Sequence, residues 1–268
     1  MKALSIFGII AMASSCASAG IAYGITDAGQ SGSQLVTWDL GDGSVSNLAN
    51  GLYDGYDLEA SDISSSMEWF IIGGGNGSVA DQVFRASLVD GSMVSLGSLS
   101  FGTPTNGNNE VVSASFNDAT GRLWVYRQND GFYSFDTGNL GGMVEEIDMG
   151  GNIEAMAWDS SGTNMYYFDQ ASFYSWNAVD GVQLLDASLI AGGVESLEFD
   201  ADGNLIAGIE TSNTEFSLLE IDLGTLGLTN IGTYIAPSGD MESLSFVPTP
   251  GTAVLLGLGG MVGIRRRR

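Results

Sequence analysis

The sequence predicts an all-β fold, a five-bladed β-propeller whose last strand closes the ring. Three observations carry this reading. Short runs of alternating apolar and polar residues, bounded by Asp-Gly or Asn-Gly, recur along the chain and mark β-hairpins. One phrase, a glutamate followed four residues later by an aromatic or Ile, returns about every 45 residues with three further apolar stretches, the size of a four-stranded propeller blade. Finally, Glu242–Phe246 restates the opening of the phrase and stops, while the first three strands of the body lack that opening. A β-sandwich of irregular hairpins is the alternative architecture.

Taken in order, residues 1–19 are expected to be a secretory signal. Lys2 precedes an apolar run from Ala3 to Ala13, and small residues end in Ala17-Ser18-Ala19. Charged start, short apolar run and A-x-A site are the parts of a cleavable signal, with cleavage after Ala19. The run is shorter than the roughly 20 residues a spanning helix needs. A rival reading makes Cys16 a lipidated residue after Ala13-Ser14-Ser15.

The body, 20–246, then supplies the blades. Ile21–Ile25, Gln34–Trp38 and Val45–Leu48 are three strands without the opening phrase. Glu59–Ile63, Met67–Ile72 and Val83–Ala86 begin the next unit. Ser113–Asn117, Arg122–Tyr126 and Phe132–Phe135 begin the third, with Val112 where the others have glutamate and Glu110 nearby. Glu154–Asp159, Asn164–Asp169 and Phe173–Trp176 begin the fourth. Glu195–Asp200, Asn204–Ala207 and Phe216–Leu219 begin the fifth. The orphan Glu242–Phe246 can supply the missing inner strand of the first unit, which leaves no unpaired sheet edge.

Residues 247–268 form a separate tail. Pro248 and Pro250 stop the preceding strand, because proline lacks the ladder donor. An uncharged apolar stretch, Thr252–Ile264, leads to Arg265, Arg266, Arg267 and Arg268. A short apolar segment ending in arginines inserts with those charges on the cytoplasmic side; a plain anchor or a buried helix with a basic end is the bland alternative.

This tail resembles the PEP-CTERM sorting signal of exported bacterial proteins: a Pro-x-Pro motif, a transmembrane-like stretch and a basic cluster. Val247-Pro248-Thr249-Pro250 stands where the family usually has Val-Pro-Glu-Pro, so Thr249 replaces the acidic residue. The resemblance covers about the last 22 residues. It implies a membrane stage, an exosortase-type processing enzyme as partner, and delivery of the body to the cell surface or matrix.

Composition limits the chemistry. Lys2 and the four terminal arginines account for five of the eight basic residues, leaving Arg85, Arg122 and Arg127 against all 32 acids. A body charge near −29 repels nucleic acid and favours divalent cations or cationic partners. The sequence has no histidine, so a Ser-His-Asp triad and an HExxH zinc site are excluded. The single cysteine and the single lysine both lie in the expected signal, which removes disulfides, thiolate chemistry and Schiff bases from the mature chain. Carboxylate chemistry and oxygen-ligand cation sites remain.

Glu59, Glu154, Glu195 and Glu242 hold the same place in four of five units. In a propeller they would form a ring near one end of the channel. They could hold calcium or another hard cation, serve as acids in glycoside hydrolysis, or fasten blades by accepting N–H groups from a neighbouring blade's loop. Repetition favours the fastening role, since catalysis needs different residues in different roles. The phrase Glu-x-x-x-aromatic-Asp is also similar to the opening of lactonase-type propellers, in which one such glutamate holds a divalent metal. That similarity spans six residues, and those enzymes normally have six blades.

Asp200-Ala201-Asp202-Gly203-Asn204 has the look of a calcium loop but joins two predicted strands and reads as a hairpin turn. Gly73–Gly77 lacks the Lys-Ser/Thr and helix of a phosphate loop. Trp69, Trp124, Trp158 and Trp176 recur with the blades and read as core, whereas Tyr53 and Tyr56 are freer to meet a ligand. The functional expectation is a non-enzymatic exported surface or matrix protein that binds or scaffolds, for instance, extracellular polysaccharide or envelope components. It needs no cofactor, with calcium the one candidate. The alternative is a carboxylate- or metal-dependent extracellular hydrolase.

Overall fold

The computed structural model describes residues 20–27, 32–74, 79–101, 110–191, 193–237 and 239–247. The expected signal, its cleavage site at Ala17 and Ala19, and the tail from Pro248 onward lie outside the described residues.

Five four-stranded antiparallel sheets form the body. In the first blade, β1 (Ile21–Asp27), β2 (Ser33–Asp39) and β3 (Val45–Tyr53) follow one another outward. The second holds β4 (Leu58–Ile63), β5 (Trp69–Gly73), β6 (Gln82–Ala86) and β7 (Met93–Ser98). The third holds β8 (Val111–Asn117), β9 (Arg122–Arg127), β10 (Gly131–Asp136) and β11 (Asn139–Asp148). The fourth holds β12 (Ala155–Trp158), β13 (Met165–Asp169), β14 (Ser172–Asn177) and β15 (Gly181–Asp186). The fifth holds β16 (Val194–Phe199), β17 (Leu205–Ser212), β18 (Glu215–Asp222) and β19 (Gly227–Ile235). The last strand, β20 (Asp240–Phe246), returns to the first blade and pairs with β1, from Ala22 opposite Phe246 to Asp27 opposite Asp240. The five inner strands β20, β4, β8, β12 and β16 touch one another in that cyclic order and enclose the channel. The propeller and its closure are as the sequence predicts.

The closing strand demands a glycine. A Cβ on Gly24 would lie 2.3 Å from the Ser243 carbonyl and 2.7 Å from the Trp38 ring. Side chains alternate between the two faces of each blade, so both faces of a blade are apolar where neighbours meet. The core is accordingly divided into five clusters, one per blade interface. Trp38 and Ala22 of the first blade pack on Phe216 and Leu218 of the fifth, with the Trp38 indole donating to the Ile235 carbonyl at 2.9 Å. Phe70 and Ile72 meet Val125 and Phe135 across the second and third blades, and Tyr126 and Phe132 meet Tyr167 and Trp158 across the third and fourth. Each fully buried large side chain of this kind contributes about 1.5–3 kcal/mol.

The tryptophans are core as expected: Trp69, Trp124 and Trp158 are buried, and Trp176 packs tilted against Trp124 and edge-on to Trp158. Tyr53 and Tyr56 are less free than expected. They stack on each other, and the Tyr53 hydroxyl donates to the Gly91 carbonyl at 2.6 Å. Met67, expected in a strand, sits in the turn before β5 with φ of 65°. Asp200 closes its own turn by accepting the N–H groups of Asp202 and Asn204 at 2.9 and 2.8 Å. Gly73 ends β5, and Gly75–Gly77 lie outside the described residues.

Candidate functional site

The four repeated glutamates are placed by one backbone device. Leu58 pairs with Gly73 and Ala60 with Ile72, so Glu59 is an extra residue in β4. The same one-residue excess falls at Val112 in β8, at Glu195 in β16 and at Glu242 in β20. In the fourth blade Ala155 pairs with Phe168, and the Gln170 N–H donates to the Asn152 carbonyl, so the excess falls beside Glu154, just ahead of β12. A β-bulge breaks the strict alternation of side chains and re-aims the extra residue. Here it turns each glutamate out of the blade interface and toward the channel.

Glu59, Glu154, Glu195 and Glu242 therefore line one constriction together with Val112, and the open space among them is about 10 Å³. That is room for about one water molecule or bare cation. Glycines make way for two of the carboxyls: a Cβ on Gly74 would fall 2.3 Å from Glu59 Cγ, and one on Gly193 would fall 2.5 Å from Glu195 Oε1. A second tier stands two residues ahead of the bulges, with Asp57, Glu110, Asn152 and Asp240. Oxygens of Asp57, Glu59 and Glu110 all lie within 4.8 Å of one another. Beside Glu154 a shallow depression of about 330 Å³ opens between the fourth and fifth blades, floored by Phe168 and Val194.

Confined carboxyls without enough counter-charge hold protons. Burial pushes the Glu59 carboxyl far up, helped by Glu242, Asp57 and Glu110, and Glu242 is raised as well, again chiefly by burial. Glu195 rises to about 8 through burial and then through Glu154, Glu210 and Asp240. Glu154 is raised by burial but steadied by Asn152 Nδ2, which donates to its Oε1 at 3.0 Å. At neutral pH the mouth is a set of oxygen ligands partly held as acids. All its donors are hard oxygens, the set that suits calcium rather than zinc.

Side chains one to three positions further along the inner strands tie neighbouring blades together. Asp62 accepts the Phe116 N–H of the next blade, and Ser115 Oγ accepts the Trp158 N–H at 3.1 Å. Ser61 Oγ lies 2.6 Å from Ser243 Oγ, joining the second blade to the first. Glu198 meets Asp62 carboxyl to carboxyl, although β4 and β16 are separated by β20, so this buried pair bridges the channel at its far end. Burial raises both groups, and their mutual repulsion raises Glu198 further.

Sequence reasoning found the first tier and missed Asp57, Asp240 and the Asp62–Glu198 pair. Aligning the units on the bulge would have exposed the second tier; nothing in the sequence marks the pair, because its partners come from non-neighbouring blades.

A closed five-bladed ring with a carboxylate-lined mouth defines the class: a β-propeller. The sequence matches no protein-family model and no curated protein. Solved structures share the fold at low identity. A nidogen/laminin complex is similar at TM-score 0.54 and 12% identity, over 85% of this chain and 98% of that one. TolB from Acinetobacter baumannii is similar at TM-score 0.58 and 11% identity, over 86% and 67%. A structural-genomics protein of unknown function from Bacteroides thetaiotaomicron gives 0.55 and 11%, over 85% and 65%. At such identities the likeness concerns architecture alone.

Proposed function

We propose that this chain is a non-enzymatic propeller, exported by its N-terminal signal and brought to the cell surface or matrix through its PEP-CTERM-like tail. There it serves as a binding or scaffolding module, with a divalent cation, calcium by donor chemistry, at the channel mouth. One observation carries the reading. A glutamate is delivered by the same bulge in three of five blades, and a fourth, Glu154, reaches the same mouth from just ahead of β12, which builds a ring of like ligands rather than the unlike pair of groups a catalytic site needs. Asp57, Glu59 and Glu110 would hold the ion most closely, and Glu154, Glu195 and Glu242 would complete its surroundings. Binding would displace the protons these carboxyls carry, so affinity rises with pH. The stiff ring leaves the outer loops to carry partner recognition.

Thermal melting of the full mature chain with chelator and with excess calcium tests the cation. A reversible rise in melting temperature with calcium, lost in Glu59→Gln, is expected; no rise would remove the ion from the reading. Export and sorting are tested by fractionation of cells expressing the intact chain and one truncated after Val247, the truncated form being expected to lose its membrane stage. A hydrolase is the second reading, favoured by carboxyls held as acids next to carboxylates, the pairing used in glycoside hydrolysis. Turnover of extracellular glycans or lactones abolished by Glu59→Gln would support it over the first.

A further inference from the structure

The end of the molecule opposite the glutamates carries an apolar groove of about 370 Å³. Ile21, Leu40, Met67, Ile206, Ile231 and Phe246 form its walls, with Ile21 and Met67 44% and 47% exposed at the rim. Ala201 and Asp200 also line it, and Gly20 and Val247, where the described chain enters and leaves the ring, lie at its edge. An apolar concavity of this size is in the range that holds ligands, and the polar groups that would orient a polar one are few.

We propose that this groove is a dock for the chain's own C-terminal segment, taking apolar side chains of Thr252–Ile264 when the tail is not in a membrane. Two observations select this occupant. The first is reach: only four residues, 248–251, separate Val247 from Thr252, so at most about 18 Å of extended chain lies between the groove's edge and the apolar stretch. A segment so tethered is present at very high effective concentration, which an untethered ligand would have to match. The second is charge. Asp200 lines the groove, and the turns that reach it through Leu40 and Ala201 also carry Asp39, Asp42 and Asp202, while Glu68 beside Met67 is already paired with Arg85 at 2.9 Å; the apolar stretch ends in Arg265–Arg268. Apolar contact in the groove and opposite charges around it act on one segment. A bilayer surface rich in anionic lipid would meet the same acids unfavourably. The dock would keep the unprocessed chain soluble, and tail removal would uncover the groove. The inference needs only the tail's composition and tether and does not depend on the sorting reading.

The sequence has a single cysteine, Cys16, so in a chain beginning at Gly20 Leu256→Cys places a single thiol in the tail. Its alkylation by a water-soluble maleimide is followed on the full mature chain in detergent-free buffer. Two groove variants are compared: Ile21→Asp with Met67→Asp, both at exposed rim positions, and Ala201→Trp, which fills the groove without adding charge. Melting curves verify that each variant is folded. The dock predicts protection of roughly tenfold or more, lost in both folded variants and independent of protein concentration. Equal rates in all chains would overturn it. So would protection that survives both variants or grows with concentration, which would mean tails associating with one another. Protection that appears only when phosphatidylcholine vesicles are added would also overturn the dock, while leaving the membrane character of the tail intact.

Discussion

Replacing Glu195 by Gln should stabilise the cation-free protein at alkaline pH and destabilise the calcium-loaded one. The folded protein raises this carboxyl from 4.5 to about 8, first by burial and then through Glu154, Glu210 and Asp240. Below pH 4.5 folded and unfolded chains both hold the proton, and Glu195 is neutral to stability in this respect. Between pH 4.5 and 8 the unfolded chain releases the proton while the folded one keeps it. Stability then falls as pH rises, by at most about 1.4 kcal/mol per unit. Above pH 8 the loss levels off at a limit on the order of 4 kcal/mol, reduced by water at the channel mouth. Glutamine keeps the shape and removes the ionisation. In chelator at pH 8–9 the variant should therefore melt higher, by roughly 5–10 °C for a chain of this size. Near pH 4.5 the two should melt alike. With saturating calcium the order reverses, because wild-type gains binding energy that the variant has lost. Differential scanning calorimetry at the two pH values, with chelator and with calcium, reads all four conditions. A variant that melts below wild-type in chelator at pH 8–9 would refute the argument, since it would make Glu195 a net stabilising anion.

Further outcomes follow from the same geometry. Val112→Glu should complete the ring, enlarging the calcium-dependent rise in melting temperature and steepening the alkaline loss of stability in chelator; an unchanged calcium response would count against a shared ion. Asp62→Ala deprives the half-buried Phe116 N–H of its acceptor and Glu198 of its partner, and should cost about 1–3 kcal/mol in urea unfolding, with Asp62→Asn costing less. Gly24→Ala drives a Cβ into the Ser243 carbonyl and should cost about 1–3 kcal/mol or more, seen as a lower urea midpoint. Deleting residues 240–247 leaves β1 as an open edge, and size-exclusion chromatography should then show association in place of a sharp monomer peak.

The blades were legible because their information is local. Hairpin turns, strand alternation and a repeat near 45 residues are written along the chain, and the incomplete first unit with the orphan Glu242–Phe246 already implied closure by β20. The repeat also singled out Glu59, Glu154, Glu195 and Glu242, since identical positions in a ring must come together at one end of its axis. Absence of histidine, and of cysteine and lysine beyond the expected signal, restricted the mature chain to oxygen chemistry before any contact was known. The direction of those glutamates was decided by the tertiary structure. Strict alternation would send them into the blade interfaces; bulges in β4, β16 and β20, visible only in the pairing with the neighbouring strand, turn three of them into the channel, and Glu154 joins them from just ahead of β12. The second tier at Asp57 and Asp240, the meeting of Asp62 with Glu198, and the groove between Gly20 and Val247 each join residues far apart in sequence. Their contacts follow from the ring bringing distant inner strands within a few ångströms, a distance that no local pattern of residues encodes.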